Sequence, residues 1–320
     1  MRRPLIALLC VITFECGFAQ SYPDRPVRLV IPSAPGASTN DTLGRALANR
    51  LSKALGQQIV VDNRAGAGGN IGSELVAKSP ADGYTLLIGY NGALAIGPSV
   101  YRNMRYVPTR DLAPIAMIAS VPLVLVATPS LPAMNVKELI TLARSKPGQL
   151  NFAASGNGST THLCAELFKS SAGIDALHVP YKGGSPAVTD LIGGQVQLYC
   201  TGLPAVLAHI NSGKLRAIGL ASLKRSQLMP ELATMTEQGL PGFEVNSWTG
   251  VFAPAGTPRA IIGRLYDEIA KIVNDADMKA FILSQGAEPT LMDPERLRQY
   301  LTAETTKWAK VVRDAGIKAD

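Results

Sequence analysis

Hydrophobic and polar positions follow two alternating patterns along most of the chain. The short apolar run at residues 27–31 is typical of a buried strand, whereas leucines at spacings of four, from Leu43 to Leu55, indicate an amphipathic helix that ends at Gly56. Strands are predicted over residues 27–31, 59–61, 85–88, 151–154, 178–180, 196–200 and 215–220, and helices over residues 41–55, 71–78, 159–171, 185–192, 204–211, 259–274, 278–285 and 294–315. This alternation predicts an α/β fold with a mainly parallel sheet.

Two longer apolar stretches, residues 121–127 and 248–253, interrupt the alternation. An economical arrangement makes them the paired crossings between two α/β domains. The first domain is then discontinuous and takes both chain ends, residues 20–122 plus 251–320. The second domain is the insert, residues 123–250.

The first nineteen residues have the features of an export signal. Arg2 and Arg3 precede an apolar run at residues 5–14, and Gly17 and Ala19 are small residues at the positions that a signal peptidase reads. The run is too short for a bilayer span, which needs about 20 apolar residues. We therefore predict a signal peptide over residues 1–19 and a secreted mature protein.

Composition and charge narrow the class of partner. Apolar residues make up 47% of the chain, which is enough for a substantial core. The formal charge of +7 becomes +6 once Arg2, Arg3 and Glu15 are removed, and the remaining Lys and Arg residues are scattered rather than clustered. This distribution argues against nucleic-acid binding, and a modest positive field favours anionic ligands.

Two cysteines, Cys164 and Cys200, remain after removal of the signal peptide. An oxidising compartment permits one disulfide, and the alternative is a pair of buried thiols. In an open α/β sheet, helix N-termini and strand C-terminal ends gather at the same edge, so a predicted helix start and a predicted strand end bring the pair together. The Cα separation of about 4.4–6.8 Å that a disulfide needs is therefore attainable, and both alternatives stay open.

Catalytic and cofactor motifs are not found. The sequence has no G-x-S-x-G elbow, and its three histidines follow no metal-ligand spacing. The turn at residues 66–72 has Ile71 where a dinucleotide-binding motif needs its third glycine. We expect no enzyme activity, no cofactor and no metal.

Two predicted helix starts, residues 33–40 and 155–162, are rich in small and hydroxyl-bearing residues. Such starts leave free amides at the positive end of the helix dipole, where carboxylates bind, although ordinary capping by Ser, Thr and Asn is the alternative. One loop in each proposed domain could face the other over one anion. The ligand-binding residues that we predict are Gly36, Ser38, Asn40, Asn70, Asn91, Ser155, Gly156, Asn157, Thr160, Thr161, His162, Tyr181 and Thr201.

The motifs together resemble those of the substrate-binding proteins of tripartite tricarboxylate transporters, often called Bug receptors. The resemblance extends over essentially the whole mature chain. It rests on residues 22–30, 34–36, 61–72, 82–86, 155–159, 162–163, 166–168, 179–184 and 190–196, together with Asp41 and Arg45.

This resemblance implies a two-domain periplasmic-binding-protein fold of type II, with the ligand in the interdomain cleft. It also implies a periplasmic monomer that binds a small carboxylate, such as a di- or tricarboxylate, an acidic amino acid or an aromatic acid. The acid would be delivered to the membrane permease subunits of the transporter. A sensory co-receptor that docks on a membrane histidine kinase is the alternative function.

Overall fold

The computed structural model describes residues 22–36 and 38–317, so the predicted signal peptide lies outside the described residues. The strands are β1 (Val27–Ile31), β2 (Ile59–Asn63), β3 (Thr85–Tyr90), β4 (Leu112–Ala127), β5 (Asn151–Ala154), β6 (Leu177–Pro180), β7 (Leu198–Gly202), β8 (Arg216–Leu220), β9 (Asn246–Pro254) and β10 (Glu288–Met292). The α-helices are α1 (Thr39–Leu55), α2 (Asn70–Ala77), α3 (Gly97–Val100), α4 (Pro108–Asp111), α5 (Val136–Ser145), α6 (Thr160–Ala172), α7 (Gly184–Ile192), α8 (Leu203–Asn211), α9 (Arg259–Asn274), α10 (Ala276–Ser284) and α11 (Pro294–Asp314). Among these residues, no helix is both long enough and apolar enough to cross a membrane.

The long strand β4 connects two halves of one sheet, whose strand order is β2-β1-β3-β9-β4-β7-β5-β6. Its first part pairs with β9 and β10, and its second part pairs with β7 and β8, all antiparallel. On either side of this centre, β1 pairs in parallel with β2 and β3, and β5 pairs in parallel with β6 and β7. The predicted α/β class is confirmed. The sheet is mixed rather than mainly parallel, because β4 and β9 cross between the two halves and pair antiparallel with their neighbours.

Alternate side chains of β4 enter different parts of the core. Leu123 and Leu125 pack in one apolar cluster, whereas Val124 and Val126 pack in another on the opposite face. Earlier in the strand, Ile118 belongs to a third cluster. Both faces of this strand are therefore covered, which is typical of the centre of a layered α/β fold.

The structure contains elements that the sequence prediction lacks, including helices α3, α4 and α5. Strand β4 begins at Leu112 rather than at residue 121, because its first part is apolar on both faces and lacks the alternation that marks a half-buried strand. Strand β10 was not predicted, since Pro289 disfavours a strand. Pro289 is accommodated because, among the described strands, β10 pairs only with β4, so one side of β10 needs no ladder hydrogen bonds. Strand β7 also lies two residues later than predicted, at Leu198–Gly202 rather than 196–200.

Candidate functional site

The start of helix α6 presents hydrogen-bond donors to a cleft. The hydroxyl of Ser159 caps the helix by accepting a hydrogen bond from the amide of His162. The amides of Thr160 and Thr161 lie in the first turn, where the helix supplies no carbonyl partner. They also lie at the positive end of the helix dipole, so this helix start can bind an anion.

A cluster of neutral hydroxyl groups fixes the loop before α6. The hydroxyl oxygen of Thr161 accepts a hydrogen bond from the amide of Ser155 at 2.8 Å. It also lies 2.9 Å from the hydroxyls of Ser155 and Ser159. Ser159 in turn donates to the carbonyl of Gly156 at 2.7 Å. The loop is held in shape without a charged partner, so its amides are already oriented before a ligand arrives.

A cavity of about 960 Å³ separates this loop from elements of the other half of the sheet. One wall follows the end of β3 through a π-helical segment, Gly92–Ile96, to α3. Segments of π-helix are rare and are frequently found at functional sites. The cavity is lined by Gly68, Tyr90, Gly92, Ile96, Val100, Tyr101, Ser155, Gly156, Asn157, Gly158, Ser159, Thr160, Thr161, Pro180, Tyr181 and Lys182.

Part of the predicted ligand-binding set is brought together around this cavity. The members that line it are Ser155, Gly156, Asn157, Thr160, Thr161 and Tyr181. Asn91, another member, donates from Nδ2 to the hydroxyl oxygen of Thr160 at 3.2 Å. Its Oδ1 accepts from the hydroxyl of Ser247 at 3.3 Å. Asn91 therefore joins the two walls of the cleft, and a direct role of these residues in binding stays a prediction.

The other predicted loop, at the start of α1, does not line the cavity. Ser38 caps α1, and the buried carboxylate of Asp41 accepts from the amide of Gly36 at 2.8 Å. This carboxylate also accepts from Asn63 at 2.7 Å and from Arg45 at 3.0 Å. Burial opposes its ionisation, but the hydrogen bonds from Arg45, Asn63 and Gly36 prevail and lower the pKa of Asp41. In this structure a carboxylate of the chain itself occupies the loop.

Three further predicted residues also lie away from the cavity. Asn40 accepts from the hydroxyl of Thr249. Asn70 accepts from the hydroxyl of Tyr106 at 3.1 Å and borders a smaller cavity of about 310 Å³. Thr201 is buried in β7. None of the three lines the larger cavity, and among the described residues Nδ2 of Asn70 is buried without a hydrogen-bond partner.

The last member of the predicted set, His162, is buried beneath the loop rather than exposed in the cavity. Its ring stacks on His178 with the ring centroids 3.7 Å apart. Its Nδ1 accepts from the amide of Gly158 at 3.1 Å. Nε2 of His178 lies 3.0 Å from Oδ1 of Asn157. The histidine pair therefore supports two residues of the cavity lining from behind.

Burial keeps both histidine rings neutral near pH 7. It lowers the pKa of His162 to about 4, and the charges of His178 and Lys169 act in the same direction. Burial also lowers the pKa of His178, although Glu166 opposes this shift. A neutral His162 can accept the hydrogen bond from Gly158, which a ring protonated at Nδ1 cannot do.

Sequence reasoning missed the opposite wall of the cavity. That wall contains Tyr90, Ile96, Val100 and Tyr101, and Lys182 lies beside the loop. The rule that ligands bind outside the carboxyl ends of strands would have indicated the segment after β3, because that segment begins at such an end. Its side chains are apolar or aromatic, however, so they have the composition of ordinary core.

Cys164 and Cys200 are joined in a disulfide, with their Cα atoms 6.1 Å apart. Of the two alternatives that the sequence left open, the structure contains the bridge. It connects the second turn of α6 to β7 and so fastens the helix whose start lines the cavity. Within residues 22–36 and 38–317, no cluster of three or more His, Cys, Asp or Glu side chains could hold a metal ion.

Comparisons with known proteins agree with this architecture. A family model described as the tripartite tricarboxylate transporter family receptor matches residues 43–317. Protein BugT of Bordetella pertussis is 42% identical over 98% of this chain and 98% of its own length. The structure of R. palustris Rpa4515 with adipate is 41% identical, covers 92% of this chain and 99% of that one, and superposes with a TM-score of 0.75.

A second solved structure, MatC from Rhodopseudomonas palustris with bound malate, is 31% identical and covers 91% of this chain and 100% of that one, with a TM-score of 0.71. These likenesses confirm the periplasmic-binding-protein fold that the sequence predicted. They also confirm the resemblance on which that prediction rested. The chain belongs to the family of tripartite tricarboxylate transporter receptors.

Proposed function

We propose that the protein is a periplasmic receptor that captures a small organic carboxylate in the cleft and delivers it to the permease subunits of a transporter. The observation that carries this proposal is the start of α6, whose unpaired amides and hydroxyl groups line a cavity between the two halves of the sheet. Related structures with adipate and with malate support a carboxylate ligand.

Neutral donors suit a receptor that must release what it captures. The cavity loop carries amides and hydroxyls rather than a buried arginine, so the ligand forms no buried ion pair with the loop. The family description is that of a receptor and supports transport rather than catalysis. The sensory alternative has no such support.

The proposal includes a hinged closure of two domains, residues 20–122 plus 251–320 and residues 123–250. The proposed boundaries fall within or beside β4 and β9, which are antiparallel neighbours at the centre of the sheet. Two adjacent connecting strands are a suitable hinge, because small changes of backbone angle in both rotate one half against the other.

Thermal unfolding with a panel of ligands tests the function. Carboxylates should raise the melting temperature in a concentration-dependent manner, because a ligand that binds only the folded state stabilises it. Neutral sugars serve as the control ligands. A shift with sugars alone, or with none of the acids, would contradict the proposal.

The variant Thr160→Ala tests the site itself. In the wild-type protein the hydroxyl of Thr160 accepts a hydrogen bond from Asn91 across the cleft. The substitution leaves the Asn91 donor unpaired, and we expect ligand binding to weaken by about 1–3 kcal/mol. Thr302→Ala, on the exposed face of α11, is the matched control. Equal dissociation constants for the two folded variants would remove Thr160 from the site.

A further inference from the structure

The two walls of the cavity differ in chemistry. We propose that the ligand is an acid with one carboxylate and an aromatic or similarly bulky apolar body, and that short di- and tricarboxylates bind more weakly. The carboxylate would lie at the start of α6 and the apolar body against the opposite wall. This inference rests on the proposed function and narrows its substrate class.

The opposite wall is apolar because of the side chains that its backbone brings to the cavity. The π-helical segment and α3 bring Ile96 and Val100 to the cavity, where only 2% and 6% of their surfaces remain exposed. Tyr90 and Tyr101 flank them and are half-buried. The carbon surface that this wall offers to a ligand therefore comes mainly from the rings of Tyr90 and Tyr101.

The hydroxyl group of Tyr90 is hydrogen-bonded to the backbone of its own wall. Tyr90 donates to the carbonyl of Gly68 at 2.7 Å. The hydroxyl of Tyr101 lies 2.6 Å from where a Cβ atom on Gly68 would stand, so only glycine fits beneath it. The hydroxyl of Tyr90 is therefore already paired, and the rings of both tyrosines form part of the cavity lining.

A third aromatic ring lies near the loop before α6. Tyr181 donates its hydroxyl to the Asp190 carboxylate at 2.8 Å, which leaves its ring in the cavity lining. Aromatic side chains pair favourably with other rings in offset or edge-to-face arrangements. Three tyrosine rings around one cavity therefore favour a ligand with a flat or bulky apolar body.

The charge around the cavity is suited to one carboxylate. Among the described residues that line it, Lys182 is the single charged side chain, and it lies on the same side as the start of α6. A second carboxylate that faced the opposite wall would lose water without gaining a cation, because none of the described residues that line this wall is charged. The cavity of about 960 Å³ also leaves ample room for an apolar body beyond the charged end.

Calorimetry on the wild-type protein tests the inference directly. We expect phenylacetate to bind at least tenfold more tightly than succinate or citrate. Hexanoate and adipate form a sharper pair, because they have the same number of carbons and differ in the second carboxylate, and we expect hexanoate to bind more tightly. Tighter binding of succinate, citrate or adipate would overturn the inference and leave the proposed function intact. If the folded protein bound none of these acids, the proposed function would fail as well.

Variants of Tyr101 test the apolar wall. Tyr101→Phe keeps the ring and should keep the affinity for phenylacetate, whereas Tyr101→Ser removes the ring and should weaken it about tenfold. Tyr266→Ser, at a half-buried tyrosine packed against a different core cluster, is the matched control. Unchanged phenylacetate binding in a folded Tyr101→Ser protein would overturn the assignment of this wall. If that variant does not fold, the ranking of acids on the wild-type protein still decides the matter.

Discussion

At the scale of single residues, Gly158 shows how close the walls of the cleft lie. Its φ angle is +69°, and an added methyl group would lie 2.9 Å from Cγ1 of Val100 on the opposite wall. Gly213 has a nearly identical φ of +70°, but its Cβ position meets nothing within 4 Å. A substitution at either glycine strains the backbone, but only one at Gly158 also crowds the opposite wall of the cleft.

Replacement of each glycine by alanine makes use of this contrast. Both variants should lose about 1 kcal/mol of unfolding free energy from the left-handed backbone, measured by urea denaturation. Gly158→Ala should in addition weaken ligand binding about tenfold, because its methyl group pushes the walls apart. Equal dissociation constants for the two variants would show that the cleft does not need this close approach.

The hydroxyl of Thr161 is a second single-residue determinant. Thr161→Val keeps the shape of the side chain but removes the partner of the Ser155 amide and of two neighbouring hydroxyls. We expect the unfolding free energy to fall by about 1–3 kcal/mol, because a partly buried amide loses its acceptor. Thr302→Val, which removes an exposed hydroxyl bonded to one carbonyl, should change stability far less. Equal losses in the two variants would contradict this account of the loop.

At the scale of elements, α6 is fastened to the sheet in two places. The disulfide ties it to β7, and the stacked histidines tie it to β6. Both connections lie within one or two turns of the helix start that lines the cavity. The position of the helix start therefore depends on contacts that lie outside the cavity lining.

The double variant Cys164→Ala/Cys200→Ala tests the first connection. The bridge spans 36 residues of sequence, so its loss should lower the unfolding free energy by about 2–4 kcal/mol. Wild-type protein purified from the periplasm should take up no alkyl groups until a reductant is added. Two adducts per denatured chain without reductant would mean that the thiols are free.

Acid should weaken the connection that the stacked histidines make between α6 and β6. The pKa of His162 lies at about 4 in the folded protein and near 6.5 when unfolded, so the unfolded chain binds the proton more readily between these values. Stability present above pH 6.5 is therefore lost as the pH falls toward 4, by about 1–3 kcal/mol from this group. Urea denaturation at pH 7 and pH 4.5 measures the loss.

The charges around the histidine pair define the controls for this experiment. Glu166 and Lys169 lie on the same helix, and Lys307 and Lys310 of α11 face Glu166 around a small surface cavity. Because carboxylates also titrate at low pH, the comparison is with His162→Gln, which should lose less stability on acidification. If His162→Gln shows the full wild-type loss, the titrating group is another one.

At the scale of the whole molecule, the hinge hypothesis makes a measurable claim. Binding of a carboxylate that closes the cleft should reduce the radius of gyration in small-angle X-ray scattering. Gly158→Ala should show a smaller reduction at saturating ligand, because its methyl group obstructs the approach of the walls. An unchanged radius of the wild-type protein at saturation would argue against closure between the proposed domains.

Local patterns were sufficient to predict the α/β class and most of its helices and strands. The spacing of leucines from Leu43 to Leu55, the glycine after that helix and the hydroxyl-rich start of α6 are properties of neighbouring residues, and they act through local hydrogen bonds and one apolar face. The same order of motifs predicted the family. The α6 side of the site was predicted because a helix start exposes its amides wherever the helix lies.

The cavity itself was decided by contacts between distant segments. Asn91 and Thr160 are 69 residues apart, and nothing near either one indicates that they meet. The start of α1 has a composition similar to that of α6, yet the packing of Asn63 and Arg45 around Asp41 fills it with a carboxylate of the chain itself. The sequence by itself determined which segments can offer donors to an anion. Only the tertiary structure decided which of them line the cleft, because that depends on which side chains the sheet order brings within a few ångströms of one another.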